Sequence, residues 1–293
     1  MYRSEVPRPF LKWAGGKTQL LPALTACVPE RFNAYHEPFL GGGALYFALY
    51  RQGKISRAFL SDVNEELIHA YTMVRDHVEA VLAHLKEYPH NEDFYYSLRK
   101  KDPATMTAAE RAARLIYLNK TCYNGLYRVN RQGRFNVPFG RYKTPRYYDP
   151  VNLRAVAQAL RNARIEAASF EVVLKNARAG DLVYFDPPYI PVSKTASFTA
   201  YTRHGFSMEA QQNLRDVTAE LAARGAYVML SNSHAPATFR IFSHPDFHVY
   251  EVYAGRAINS RGHRRGKIKE VIITNFPIAA GKAPLQPVCS KVQ

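Results

Sequence analysis

The chain is poor in cysteine. Across 293 residues there are only Cys27, Cys122 and Cys289, far apart and odd in number. That excludes a disulfide framework and a cysteine metal site, and it suits a reducing, cytoplasmic compartment. Long apolar runs are missing too. No stretch approaches the roughly 18 apolar residues of a membrane span, and Met1-Tyr2-Arg3-Ser4-Glu5-Val6-Pro7-Arg8 lacks a signal-peptide core. Neither a metal nor a membrane partner is expected. The most telling shortage is of acids. The formal charge is +16, and between Asn119 and Tyr148 stand Lys120, Arg128, Arg131, Arg134, Arg141, Lys143 and Arg146 with no acidic residue. Between Tyr253 and Lys269 come Arg256, Arg261, Arg264, Arg265, Lys267 and Lys269, again with none. The first stretch is interleaved with Tyr123, Tyr127, Phe135, Phe139 and Tyr142. Cations mixed with aromatics suit a nucleic-acid surface; a solvated, solubilising face is the plainer alternative.

What is present is ordinary for a globular chain, 47% hydrophobic and 22% charged. A helix is expected over 18–28, then a strand at 33–37 entering Pro38-Phe39-Leu40-Gly41-Gly42-Gly43, a helix from Ala44 to about Gln52, and a strand from Ile55 to Leu60 ending at Ser61-Asp62. That is a βαβ unit. Residues 65 to about 118 show helical spacing, and 119–148 are turn-rich. Alternation then returns: a helix near 151–162, strand 164–167, helix 170–177, and the apolar run Leu182-Val183-Tyr184-Phe185, which reads as a buried strand. Ser207 and Gly225 bracket a helix at 207–224. Strands follow at 226–230, 247–253 and 270–276, the last two as a hairpin. The simplest organisation is one α/β domain built from both ends of the chain, interrupted by a helical and basic segment of about 85 residues.

Asp186-Pro187-Pro188-Tyr189 follows the 182–185 strand. Two prolines end the ladder, because their nitrogens cannot donate. A carboxylate, a backbone carbonyl and an aromatic ring are thereby held at a strand's C-terminal edge, where open α/β sheets bind ligands. The set suits a flat heterocycle with an exocyclic amine: Tyr189 stacks, and Asp186 and the Pro187 carbonyl accept the amine hydrogens. A simple turn is the other reading. Gly41 and Gly43 allow close backbone approach to a ligand, and Asp62 at the next strand end suits ribose hydroxyls. The dinucleotide fingerprint is absent, since its third glycine falls at Tyr46. No pyrophosphate is implied, and S-adenosyl-L-methionine remains open. Gly15-Gly16-Lys17-Thr18 fails the phosphate-loop spacing, whose first glycine falls at Leu11.

Taken in order, several blocks resemble the DNA adenine-N6 methyltransferases of the Dam type. They are Phe10-Leu11-Lys12-Trp13-Ala14-Gly15-Gly16-Lys17, Glu37-Pro38-Phe39-Leu40-Gly41-Gly42-Gly43, Asp62, the inserted segment, and Asp186-Pro187-Pro188-Tyr189. The likeness runs from about 10 to 276 and includes Tyr123-Asn124-Gly125-Leu126, Phe135 to Lys143, and Phe198-Thr199-Ala200-Tyr201. It implies a Rossmann-like, S-adenosylmethionine-dependent methyltransferase sheet (1–64 and 149–278), an inserted helical DNA target-recognition domain (65–148) and a flexible tail (279–293). It implies S-adenosyl-L-methionine as cofactor, double-stranded DNA as partner, adenine in GATC as target, and a monomer or weak dimer on DNA. Trp13, Lys17, Glu37, Asp62, Phe170 and Asp186 match cofactor positions. Lys12, Leu126, Arg128 and Pro138 match base-reading positions. Tyr123 and Asn124 match residues that wedge into the stack or contact the orphan base, and the basic segments, with Arg141, would hold phosphates. Ser197, Phe198 and Tyr201 would close over a flipped base. Tyr127 departs from the pattern, standing where a smaller residue is expected.

Other readings stay open on sequence alone. Methylation of a cytosine, RNA guanine or protein glutamine amine would use the same chemistry, but Asp at 186 and the motif order favour adenine. A non-catalytic DNA-binding module is the reading from another class. A restriction-system enzyme and a solitary methylase are equally compatible.

Overall fold

A computed structural model describes residues 6–17, 19–192, 206–255, 267–278 and 285–287. Thr18, Ser197, Phe198, Tyr201, Arg256, Arg261, Arg264, Arg265 and Cys289 lie outside the described residues. In chain order the elements are α1 (Leu21–Cys27), β1 (Tyr35–Glu37), α2 (Ala44–Arg51), β2 (Ala58–Asp62), α3 (Glu65–Glu87), α4 (Glu92–Lys100) and α5 (Ala108–Thr121). Then come α6 (Pro150–Leu160), β3 (Ala163–Ala167), α7 (Val173–Asn176), β4 (Leu182–Phe185), α8 (Met208–Ala223), β5 (Tyr227–Ser233), α9 (Pro236–Ile241), β6 (His248–Gly255), β7 (Lys267–Thr274) and β8 (Gln286–Pro287). The chain divides into two units. The first comprises 1–16, 40–53 and 60–167; the second comprises 17–39, 54–59 and 168–293.

In the second unit, β1 and β4 are parallel with Tyr35 opposite Leu182, and β4 and β5 are parallel with Tyr184 opposite Met229. β7 joins β5, β6 joins β7 and β8 joins β6, all antiparallel, in the order β1-β4-β5-β7-β6-β8. The start of β2 borders β1 on its other side. Strand order therefore reverses at β1, and the C-terminal ends of β1 and β4 flank the reversal, where ligands bind in such sheets. All four residues of β4 are buried, as a parallel strand covered on both faces requires. Val183 and Phe185 join Val228, Leu230, Val271 and Ile273 beneath Leu214, Val217 and Leu221 of α8. The Ser207 hydroxyl accepts the Ala210 N–H at 3.1 Å and caps α8.

Several boundaries move from the sequence expectation. β5 continues through Ser231, Asn232 and Ser233, because these polar residues find buried partners: Tyr184 Oη lies 2.9 Å from Ser231 Oγ, and Asn232 Oδ1 accepts the Ile190 N–H at 3.1 Å. β2 runs to Asp62 rather than Leu60. In the expected aperiodic tail, Gln286 and Pro287 pair with Glu251 and Tyr250; two residues leave no periodic signal.

In the strand order β3 is next to β2. Leu67, Ala70, Tyr71 and Val74 of α3 are buried, as are Ala112, Leu115 and Ile116 of α5, and α3 packs on α5 and α6. Asn64 caps α3 by accepting the Leu67 N–H at 3.0 Å, with Glu65 and Glu66 in the favourable first turn. α3 is interrupted at His77, whose backbone is non-helical. Beyond α5 the chain is held by isolated bridges, Cys122 with Phe139 and Val129 with Phe135. No described helix is long and apolar enough to cross a membrane.

Candidate active site

The end of β4 in the second unit gathers ionisable groups. Lys17 Nζ lies 2.8 Å from Asp186 Oδ1 and 4.6 Å from the Tyr189 ring centroid. Burial pushes the Asp186 carboxyl above its ordinary value, and Lys17 pulls it back. The Tyr189 hydroxyl donates to Glu270 Oε2 on β7 at 2.7 Å. Burial raises Glu270 as well, opposed by that hydroxyl and by Lys17. The turn is pinned on both sides: Asn232 holds the Ile190 N–H, and the Pro188 carbonyl accepts the Gln211 side-chain amide at 2.9 Å. Pro187 is buried, and no donor among the described residues is bonded to its carbonyl. At the end of β1 the Tyr35 hydroxyl donates to the buried Glu37 at 3.0 Å. Phe170 is 6% exposed and stacks on Phe39, centroids 5.5 Å apart.

The glycine loop lies in the first unit. Asp62 accepts the Gly41 N–H at 3.1 Å through one carboxylate oxygen and the Asn64 N–H at 3.0 Å through the other. Burial raises Asp62, and these N–H groups hold it down. The Gly43 N–H is taken by the Leu40 carbonyl at 2.7 Å, and the Tyr71 hydroxyl donates to the Gly41 carbonyl at 3.2 Å. A Cβ on Gly41, whose φ is +47°, would fall 2.8 Å from Trp13 Cδ1. At this side the absent side chain makes room for the Trp13 indole.

The candidate DNA-facing residues Lys12, Tyr123, Asn124, Leu126, Arg128, Pro138 and Arg141 also belong to the first unit. Asn119, fully buried at the end of α5, accepts the Lys12 N–H and donates to the Lys12 carbonyl, both at 2.7 Å. Its amide also reaches the Gly125 carbonyl at 3.3 Å. The Tyr123 N–H bonds to the Pro138 carbonyl at 2.8 Å. Arg128 Nε donates to Asn136 Oδ1 at 2.7 Å across the hairpin. Lys12 Nζ sits 4.5 Å over the Tyr142 ring, and Arg141 lies 3.7 Å from Glu92. Tyr123 is 55% exposed. Asn124 and Arg141 hold positive φ, +55° and +49°, a geometry kept only where the surroundings impose it.

Residues 13–258 match the family model for D12 class N6 adenine-specific DNA methyltransferases. The chain belongs to this family. It is 43% identical over 277 residues to the type II methyltransferase M1.LlaDCHI of Lactococcus lactis subsp. cremoris, covering 92% of this chain and 95% of that protein. It is 40% identical over 287 residues to the type II methyltransferase M.MjaIII of Methanocaldococcus jannaschii, covering 92% and 99%. With the DNA adenine methylase of Escherichia coli K12 it shares 35% over 274 residues, covering 92% and 96%. Among solved structures, a methyltransferase homolog protein from Pyrococcus horikoshii aligns over 90% of this chain and 67% of its own. Its identity of 10% and TM-score of 0.39 make that superposition too loose to bear on the assignment.

A D12 class methyltransferase acts on DNA adenine, and the family implies S-adenosylmethionine as methyl source. The glycine loop of this methyltransferase fits such a group. Its Gly41 and Gly43 N–H donors are already spent on Asp62 and Leu40. Asp62 keeps lone pairs for neutral ribose hydroxyls. Among the described residues no cluster of His, Cys, Asp and Glu is arranged for a metal.

Two residues that hold candidate site residues, one in each unit, escaped sequence reasoning. Asn119 left a faint signal, a polar residue inside the apolar helical run Leu115, Ile116, Leu118. Glu270 left none, since its partner is 81 residues away. Lys120, expected among the phosphate-holding cations, is half-buried. Burial and the nearby Lys12 pull its ammonium down to about 8. It lines a cavity of about 200 Å³ with Arg8, Arg146 and Asp149.

Proposed function

We propose that this methyltransferase acts on N6 of an adenine flipped out of duplex DNA, within GATC. The observation that carries the reading is the end of β4. A raised, ion-paired Asp186 and the carbonyl of the buried Pro187, which no donor among the described residues bonds, stand with an aromatic ring fixed through its hydroxyl. The adenine amine is a weak nucleophile because its lone pair is delocalised into the ring. Asp186 and the Pro187 carbonyl accept its two hydrogens, which localises the lone pair. Tyr189 stacks on the extruded base. S-adenosylmethionine, when bound, supplies an electrophilic methyl on a sulfonium. Trp13, Gly41, Gly43 and Asp62 of the first unit, and Lys17, Glu37, Phe170 and Asp186 of the second, are the residues proposed to hold it. Positioning and fixed charge supply the rate, without a covalent enzyme intermediate.

The GATC assignment rests on Lys12, Leu126, Arg128 and Pro138, which match the base-reading positions of the Dam pattern. Tyr123 and Asn124 are proposed to fill the gap left by the base, and Arg141 to hold a phosphate. Residues 65–148 are proposed as the target-recognition domain of a cytoplasmic enzyme.

Methyl transfer to a mixed duplex library, reading which adenines carry the mark, tests reaction and target together. Marks confined to GATC are expected; another consensus overturns the target. Asp186→Ala should reduce turnover at least about 1,000-fold while DNA binding holds; turnover near wild type overturns its role. Arg128→Ala should remove about 1–3 kcal/mol of discrimination at one base pair. Equal weakening on every sequence would make it a phosphate contact.

A further inference from the structure

Tyr127 lies between the candidate base readers Leu126 and Arg128, and the structure gives it a definite neighbour. Its ring stacks on Trp13, centroids 5.0 Å apart and planes 26° apart, with Phe135 edge-on at 5.9 Å. Its hydroxyl faces the Asn64 side chain, and the Asn64 N–H is held by Asp62. On its other side Trp13 lies against Gly41, so closely that a Cβ there would meet the indole at 2.8 Å. Trp13 is thus held between the glycine loop and Tyr127. All of these residues belong to the first unit.

The same short run carries the candidate base reader. Leu126 is extended, φ −74° and ψ 146°, and neighbours in extended chain point to opposite sides. Arg128 is exposed, whereas Tyr127 is half-buried against Trp13. One backbone segment therefore faces outward with Arg128 and inward with Tyr127. A shift of this segment on engagement of Arg128 with a base would move the ring that backs Trp13.

We propose that Tyr127 is a positioning residue for the cofactor site, and that the Trp13–Tyr127 stack couples DNA reading to cofactor affinity. This rests on the reading of Trp13, Gly41 and Asp62 as cofactor residues and of Arg128 as a DNA contact. Coupling of this kind is reciprocal: what DNA does to cofactor affinity, cofactor does to DNA affinity.

The test is calorimetric binding of S-adenosylhomocysteine, which has no methyl to transfer, with and without a duplex bearing the methylated site. The duplex should tighten binding to the wild-type enzyme about tenfold. Tyr127→Leu should weaken binding roughly 3- to 10-fold without DNA, the range of an aromatic pair, and bring the effect of the duplex close to nil. Tyr127→Phe keeps the ring and should keep both properties. Matching thermal melts establish that each variant is folded. Absence of coupling in the wild type, or unchanged affinity and coupling in Tyr127→Leu, overturns the proposal. Trp13→Leu separates the two levels. If it weakens S-adenosylhomocysteine while Tyr127→Leu does not, the stack is packing alone. If it leaves binding intact, the cofactor role of Trp13 falls, and the coupling with it.

Discussion

Asp186 and Arg128 are both proposed to meet the DNA, but they are held in opposite ways. Asp186 directly follows a strand buried on both faces and is paired with Lys17, itself 9% exposed at the side chain. Arg128 is exposed on a bridge-held hairpin and leans on Asn136 through its own guanidinium. The difference follows from what each must do. A carboxylate that fixes an amine gains from low dielectric and a rigid backbone, since its hydrogen bonds then need no reorganisation. A cation that reads a base edge must be reachable from solvent, so its position comes from turn geometry rather than from burial. The buried end of β4 accordingly shows perturbed acids, Asp186 and Glu270, and the exposed hairpin shows positive φ at Asn124 and Arg141.

Three substitutions sharpen the contrast, beginning with the largest effect. Lys17→Met removes the group that holds the Asp186 carboxyl down. Turnover should fall about 100-fold. The carboxyl then stays protonated to higher pH, so the acid limb of the kcat profile should move up; a limb that stays in place separates Asp186 from the titration. Gly125→Ala strikes the other region. Its φ is +62°, and a Cβ would collide with the Lys12 side chain. Denaturant unfolding should register a loss of about 2 kcal/mol, and KM for DNA should rise about tenfold while kcat changes less. A variant that loses kcat but keeps KM would erase the contrast between the regions.

Glu270→Gln should be the mildest. The amide oxygen still accepts the Tyr189 hydroxyl, so kcat should fall only about threefold, roughly 0.7 kcal/mol. The folded-state pKa of Glu270 is raised by burial. Its stabilising share is therefore full below the unfolded carboxylate pKa and is lost as pH rises through the folded value. Glutamine mimics the protonated form throughout. Tm should exceed wild type at pH 8, and the gain should vanish near pH 4, about the ordinary carboxylate range. A pH-independent difference would mean that Glu270 carries no buried charge.

Much of the fold was legible because its signals are local. The 182–185 strand, its proline stop, the capped helix 208–223 and the hairpin of β6 and β7 all follow from periodicity and turn residues read over a few positions. Expectation failed where a residue's partner is distant. Asn232 reads as a turn residue beyond β5, yet it is inside the strand because Ile190 and Gln211 satisfy its amide.

By itself the sequence determined the reaction class. Motif order points to the amine chemistry, and the acid-free stretches suit an anionic partner, since both are matters of residue type and local spacing. Only the tertiary structure decided what steadies those residues: Glu270 on Tyr189, Asn119 on Lys12, and Tyr127 on Trp13. Those pairs are 81, 107 and 114 positions apart. A hydrogen bond or ring contact closed by chain folding leaves no periodic trace in either segment that makes it.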